Sequence, residues 1–177
     1  MDISNYKRGQ IYTGVRYRAA VWYVCSIIFF ESGWFPFYKP KRFLLRLFGA
    51  TVGQGVCLKP FVKIKFPWNL RLGDHVSIGE RAWIDNLGNV VVGSNSVISQ
   101  GCYLCTGNHD YKSPAFDLII GDISIGNQCW VGAFSMVLPG AEVGDRVVIG
   151  AGSVVKGSLE GDQVHSSVAP LVSRKRP

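Results

Sequence analysis

Residues 123–155, ISIGNQCWVGAFSMVLPGAEVGDRVVIGAGSVV, place an aliphatic side chain every six positions, at Ile125, Val131, Val137, Val143, Ile149 and Val155. Working back toward the N-terminus, the same spacing recurs at Val92, Ile98 and Leu104, at Leu72, Ile78 and Ile84, and at Val52, Leu58 and Ile64. Two residues before each stands a second, usually smaller one: Ala50, Val56, Val62, Leu70, Val76, Ala82, Val90, Ser96, Cys102, Ile123, Cys129, Ser135, Ala141, Val147 and Ser153. A period of six is neither the 3.6 of a helix nor the unbroken alternation of a long strand. It predicts a short strand and a turn repeated along a solenoid. Gly follows the aliphatic residue in more than half of the hexads, which suits a corner where the backbone needs a positive φ.

If each hexad forms one side of a triangular prism, three make a coil, and coils stack at roughly 4.8 Å. The interruptions support that count. The step lengthens to eight from Ile64 to Leu72 and from Ile84 to Val92, and the excursion from Leu104 to Ile125 comes one coil later. All three breaks therefore fall on one corner, stacking residues 65–69, 85–89 and the loop that holds Thr106-Gly107-Asn108-His109-Asp110. Irregular backbone on a rigid scaffold is where function is usually carried.

Five motifs carry a resemblance. Leu45-Arg46-Leu47-Phe48-Gly49-Ala50, Ile84-Asp85-Asn86-Leu87, Cys105-Thr106-Gly107-Asn108-His109-Asp110-Tyr111, Trp130-Val131-Gly132-Ala133 and Ile149-Gly150-Ala151-Gly152-Ser153-Val154-Val155 resemble the hexapeptide-repeat acyltransferases. Within that family the chain is most similar to the O-acetyltransferases of colanic-acid-type exopolysaccharide biosynthesis, a branch related to the galactoside and maltose enzymes. The resemblance implies an all-β, left-handed parallel β-helix of about five coils; the left hand comes from the resemblance alone, because parallel crossovers are normally right-handed. It also implies a homotrimer with active sites between subunits, and acetyl-coenzyme A as acyl donor.

Three segments follow: residues 1–50, basic, aromatic and helical; residues 51–160, the β-helix with its excursion loop at 105–122; and residues 161–177, a basic tail. Residues 1–12 read as a polar arm. Ala19 to Phe30 is an apolar run too short to span a bilayer, which needs about 20 residues, and suits a buried or interfacial helix. Trp34 to Pro40, with two prolines and four aromatics, reads as a turn or docking loop. Lys41 to Phe48 reads as an amphipathic helix with Phe43, Leu44, Leu47 and Phe48 on its packed side, stopped by Gly49. The section is expected to cap the open end of the prism, with attachment to a membrane surface as a compatible second role.

The net charge of +7 is uneven: residues 1–50 hold eight Lys or Arg against Asp2 and Glu31, and the other 127 residues hold eleven against ten. That suits an anionic partner such as membrane phospholipid or a lipid-linked sugar rather than nucleic acid, or an ordinary solvated face. Five cysteines form an odd set and Met1-Asp2-Ile3-Ser4 shows no cleavable signal, so the expected setting is cytoplasmic, peripheral to the inner face of the plasma membrane if the N-terminal segment attaches there.

His109 is the candidate catalytic base. Acetyl transfer to a hydroxyl needs a group that is unprotonated near neutrality and takes a proton as the bond forms, and imidazole meets both needs. His75 lies in the regular second coil and His165 beyond the last clear hexad. Asp110, Asp85 or a backbone carbonyl could orient the ring, and Lys112, Phe116 and Asp117 could reach a neighbouring subunit. Trp68 offers a flat ring to a sugar or a packing surface to the fold. In the related sugar enzymes an amide side chain near Asp85 and Asn86 binds the acceptor, and the sequence does not choose between the two.

By resemblance, Trp130 lies beside the reacting centre, Ala133 and Ala151 offer backbone contacts to the pantetheine arm, Lys156 lies near the nucleotide end, and Arg174 and Lys175 meet the coenzyme phosphates. Ala133 stands where the galactoside enzymes have Ser and Lys156 where they have Thr, so those hydroxyl contacts are absent. A solubilising tail is the alternative for residues 170–177. No metal is expected: Cys102 and Cys105 diverge in register, and His75, His109 and His165 lack the spacing of a three-histidine zinc site. A small acceptor, a free sugar or an antibiotic, is the alternative substrate; a non-catalytic β-helix binding protein is the alternative class.

Overall fold

In the computed structural model, which describes residues 14–167, every hexad forms a strand of two or three residues, and strands stack in parallel into three sheets. The first sheet runs through six strands from Thr51–Val52 to Ser158–Leu159, the second through six from Cys57–Leu58 to Val164–His165, and the third through five from Lys63–Ile64 to Val154–Val155. Register is kept down the column: on the third face Lys63, Trp83, Tyr103, Met136 and Val154 stand above one another. All fifteen aliphatic residues and all fifteen smaller partners are buried. Ser96 and Ser135 are tolerated inside because each hydroxyl donates to a carbonyl, of Gly126 at 2.8 Å and Gly150 at 3.1 Å, and accepts an N–H, from Cys129 and Ser153; a buried polar group so paired loses little.

Two expectations change. The glycines after the aliphatic residues are not at positive φ. A Cβ on Gly73, Gly93 or Gly132 would come within 2.6 Å of backbone atoms in the next coil, so these sites exclude a side chain by close approach. Left-handed backbone falls two residues later instead, mostly on non-glycine residues: Phe61, His75, Arg81, Asn95, Gln128, Phe134 and Arg146, at φ of 56° to 61°. The prism also has a sixth, partial coil. Leu159 pairs with Val143 and His165 with Ile149, a coil hidden in the sequence by a step of four and by a histidine in an aliphatic slot.

Two helices close the first coil. Helix α1 spans Arg16–Phe29 and α2 spans Tyr38–Leu47. After α2, Gly49 takes φ 90°, its N–H donates to Arg46 O and that of Ala50 to Leu45 O, a Schellman stop. The buried residues of α2 are Lys41 and Leu45, and of the apolar side expected to pack Leu44 and Phe48 lie half-buried against the core while Phe43 and Leu47 are 64% and 66% exposed; the packed side is rotated from the expected one. The cause is the unpaired edge of the first coil, whose carbonyls have no strand beneath them. Arg46 Nε donates to Val52 O at 3.0 Å, Arg42 to Val56 O at 2.9 Å, Lys41 to Leu58 O at 3.3 Å, and the Trp22 indole of α1 to Ile64 O at 2.7 Å. Each of the three sheets thus receives side-chain donors at its open edge. Among the described residues Lys41, Arg42 and Arg46 serve this closure, while Arg16 and Lys39 stay exposed.

Candidate active site

The three insertions do stack on the corner between the third and first sheets, and side chains stitch them together. Asn86, fully buried, accepts from Phe66 N at 3.0 Å and donates to Phe66 O at 2.6 Å. Thr106, one coil above, donates to Asp85 O and accepts from Gly88 N, both at 3.0 Å. Asn86 therefore binds its own scaffold and offers no amide outward. Trp68, half-buried, stacks on Phe66 at 4.9 Å with Arg18 4.5 Å from its ring centroid, contacts that give it a packing role.

Above them the chain leaves the prism as a hairpin, Gly107–His109 antiparallel to Leu118–Ile120. Its tip is a closed turn: Asp110 N donates to Asp117 O, Lys112 N to Asp110 Oδ1 and Ser113 Oγ to Asp117 Oδ2, at 2.8, 2.9 and 2.6 Å. The same turn holds Phe116 at φ 54°, a left-handed conformation that a bulky residue adopts only under constraint. His109 Nδ1 lies 2.9 Å from Phe116 O, and the two rings stack at 4.2 Å and 2°. A carbonyl can only accept, so Nδ1 carries the hydrogen and the neutral ring keeps its lone pair on Nε2. The orienting group is thus the backbone carbonyl, while Asp110 is spent on the turn.

Asp85 is flanked by an ion pair with Lys65, Nζ to Oδ1 at 2.9 Å, and by Tyr103, whose hydroxyl donates to Oδ2 at 3.1 Å. Among the described residues Lys65 is the partner of Oδ1, held as an ion pair without a directed hydrogen bond. Burial first, then the Cys105 thiol and the Asp85 carboxylate, push the Tyr103 phenol far above its ordinary pKa, so it stays a neutral donor. Tyr103 packs at 4.8 Å on Trp83, which is 43% exposed. Trp83 and Lys65 line a cavity of about 570 Å³ beneath α1 with Arg16, Tyr23, Glu31 and Lys63. Trp83, Tyr103 and Lys65 were not singled out from the sequence. The available signal was two aromatics twenty residues apart at the outward position of one face.

The residues assigned to the donor lie elsewhere. Trp130 is 55% exposed on the second face, its indole donating to Ser99 Oγ at 2.9 Å. Ala133 and Ala151 stack on the next corner, where Gly152 N donates to Ala133 O at 2.8 Å. Lys156 is exposed on the corner of His109 but two coils above it. One chain therefore does not gather His109 with Trp130, Ala133 and Ala151. Arg174 and Lys175, the arm at 1–12 and the tail at 170–177 lie outside the described residues. Among the described residues, no three His, Cys, Asp or Glu are grouped to hold a metal, and Cys102 and Cys105 bond different carbonyls, those of Val131 and Gly132 against that of Gly107.

The bacterial transferase hexapeptide family (six repeats) matches residues 122–157, and the hexapeptide repeat of succinyl-transferase matches residues 69–105. The putative colanic acid biosynthesis acetyltransferase WcaF of Escherichia coli (strain K12) is 42% identical over 157 residues, 88% of this chain and 85% of that protein. The galactoside O-acetyltransferase of the same organism is 29% identical over 141 residues, 77% and 69% of the two chains. Among solved structures, the hexapeptide-repeat acetyltransferase VCA0836 of Vibrio cholerae complexed with acetyl coenzyme A superposes with a TM-score of 0.77 at 21% identity, covering 90% and 86% of the chains. A galactoside acetyltransferase in complex with coenzyme A gives 0.73 at 23% identity, covering 94% and 87%. These likenesses establish a common fold, the left-handed parallel β-helix with a helical cap. With the repeat matched in both halves of the prism and 42% identity sustained across most of the sequence, the chain belongs to the hexapeptide-repeat acetyltransferases.

Proposed function

We propose that the protein transfers an acetyl group from acetyl-coenzyme A to a hydroxyl of a sugar, in exopolysaccharide or lipid-linked oligosaccharide assembly, with His109 as general base. The observation that carries this reading is the Phe116 carbonyl on His109 Nδ1. It leaves Nε2 to take the hydroxyl proton as the oxygen attacks the thioester carbonyl. The tetrahedral intermediate collapses with rupture of the C–S bond, and the imidazolium returns its proton to the departing thiolate. Relatives named for colanic acid and galactoside acetylation support a sugar acceptor. So does the setting of Asp85, a carboxylate held between Lys65 and Tyr103 beside an exposed indole at Trp83. The cavity is lined by the first and second coils and His109 rises from the third, so the two are separated along the prism by one or two coil spacings, roughly 5 to 10 Å. An acceptor longer than a free monosaccharide fits that separation.

Because His109 and the alanine corner stand apart within a chain, the donor is taken to lie between subunits of a homotrimer, the base from one protomer facing Trp130, Ala133 and Ala151 of the next. The cation-rich N-terminal segment suits a peripheral contact at the cytoplasmic face of a membrane, where a lipid-linked acceptor resides. Thiol release from acetyl-coenzyme A with a panel of free and lipid-linked sugars tests the reaction. Co-expression of His109→Ala with Ala133→Glu tests the shared site: each variant alone is expected to be silent and the mixture active. Continued silence of the mixture, with both proteins folded, would refute it.

A further inference from the structure

Beyond the site, the outer side of α1 is an exposed apolar surface still without a role. Tyr17, Val21, Val24 and Ile28 follow one another at steps of four, three and four along the helix and are 91%, 56%, 55% and 40% exposed. Trp34 and Phe37, 65% and 62% exposed, continue the stripe through a cluster with Phe29 and Phe35 whose ring centroids lie 5.1 to 6.4 Å apart. No charged residue interrupts the chain between Arg18 and Glu31. A contiguous apolar surface of this kind marks an interaction site. At 14 residues, or about 21 Å, α1 cannot cross a hydrocarbon core of roughly 30 Å, and no described helix is long and apolar enough to do so.

Charge selects the occupant. Of the cations of residues 14–50, Lys41 is fully buried, which leaves Arg16, Arg18, Lys39, Arg42 and Arg46 at least partly exposed against Glu31 alone, and Glu31 is engaged by Lys63 and Ser26. Hydrogen bonds to carbonyls orient these cations without cancelling their charge. A second copy of this face would set like charge against like, whereas an anionic lipid surface compensates the cations and receives the aliphatic and aromatic side chains together. We propose that the outer face of α1, with Trp34 and Phe37, docks on a membrane surface rich in anionic lipid. The docking stands on this surface; its purpose rests on the acceptor reading above. Arg16 and Tyr23 on the same helix line the cavity under it, so a docked α1 sets the mouth of that cavity at the lipid surface, where a lipid-linked saccharide is presented.

The test is co-sedimentation of the full chain with phosphatidylcholine vesicles and with vesicles in which a third of the lipid is phosphatidylglycerol. Wild-type protein is expected to pellet with the anionic vesicles only, and less at high salt. Val24→Asp and Ile28→Asp, which touch neither the cavity nor the site, are expected to lower the bound-to-free ratio about ten-fold or more, with thiol release on a soluble sugar and Tm unchanged. Wild-type protein that stays in the supernatant, or Val24→Asp that pellets as wild type does, would overturn the docking. So would an oligomer that Val24→Asp dissociates on gel filtration, since the face would then join copies of the chain. Vesicle binding with no thiol release from any of the proteins would support the docking and count against the acetyltransfer reading instead.

Discussion

His109→Asn separates the two things the imidazole is held to do. An asparagine amide nitrogen falls close to the position of Nδ1, so the donor to Phe116 O, now at 2.9 Å, can be kept while Nε2 and its lone pair are removed. If Nε2 takes the acceptor proton, turnover falls by about 10²- to 10⁴-fold, or about 2.7 to 5.5 kcal/mol in the barrier. Folding should change far less. The ring stack on Phe116 at 4.2 Å is lost, worth about 0.5 to 1.5 kcal/mol, and at about 2 to 4 °C per kcal/mol for a chain of this size Tm should drop by only a few degrees. The assay is thiol release at saturating acetyl-coenzyme A across a range of sugar concentrations, beside a melting curve. The loss should fall in kcat, with the donor KM near wild type, because a base acts in the transition state without holding the donor. A variant that turns over within about threefold of wild type, against the expected hundredfold or more, would refute the assignment. So would a loss confined to the donor KM.

Two further substitutions probe the scaffold. Gly132→Ala places a methyl 2.6 Å from Ala151 N and from Ile149 O, whereas Gly140→Ala, at φ 79°, meets nothing within 4 Å. The first should cost about 1 to 3 kcal/mol and raise the donor KM through the shifted alanine corner, while the second carries only a left-handed backbone penalty of roughly 1 kcal/mol; equal melting curves would sink the close-approach reading. Burial pulls the Lys41 ammonium below the ordinary lysine pKa, so over the window between the lowered value and the ordinary one the unfolded chain binds more protons and stability rises with pH. Lys41→Met should flatten that alkaline rise in denaturant titrations, and an unchanged slope would show that the ammonium keeps its solvent.

The column was legible because a solenoid is nearly one-dimensional: thirty inward positions, all buried, repeat at a spacing that no helix or flat sheet shares. The excursion that carries His109 was legible for the same reason, since a broken repeat shows where the scaffold is left. What escaped depended on partners far apart in sequence. The orientation of α2 follows from the carbonyls of Val52, Val56 and Leu58, and hydrophobic patterning carries no record of an open sheet edge. Asn86 was a candidate because the related sugar enzymes place an acceptor-binding amide near it, yet its partner is Phe66, twenty residues away. Trp83 and Tyr103 look like ordinary outward residues until stacking brings them to 4.8 Å. The sixth coil was lost to a step of four and to His165 in an aliphatic slot.

The placement of the site on one corner has a physical cause in how the three corners are tiled. On the corner between the first and second sheets, Gly53, Gly73, Gly93, Gly126 and Gly144 each leave less than 2.7 Å between a built Cβ and the neighbouring coil. The residue two positions on is left-handed in every one of these coils, at Gly55, His75, Asn95, Gln128 and Arg146. The corner between the second and third sheets repeats the device at Gly79 and Gly132, followed by Arg81 and Phe134. Backbone lies on backbone there, and an added residue would part the coils. In the first three coils the remaining corner is joined instead by side chains: Asn86 to Phe66, Asn69 to the carbonyls of Asn86 and Leu87, Thr106 to Asp85 and Gly88, and Asp122 to Asn89. These amides and hydroxyls tie the eight-residue turns and then the hairpin to the coils beside them, so the corner lengthens without costing the column its register. The hairpin that carries the His109 imidazole clear of the prism, held by the Phe116 carbonyl of its own loop, is built on that corner.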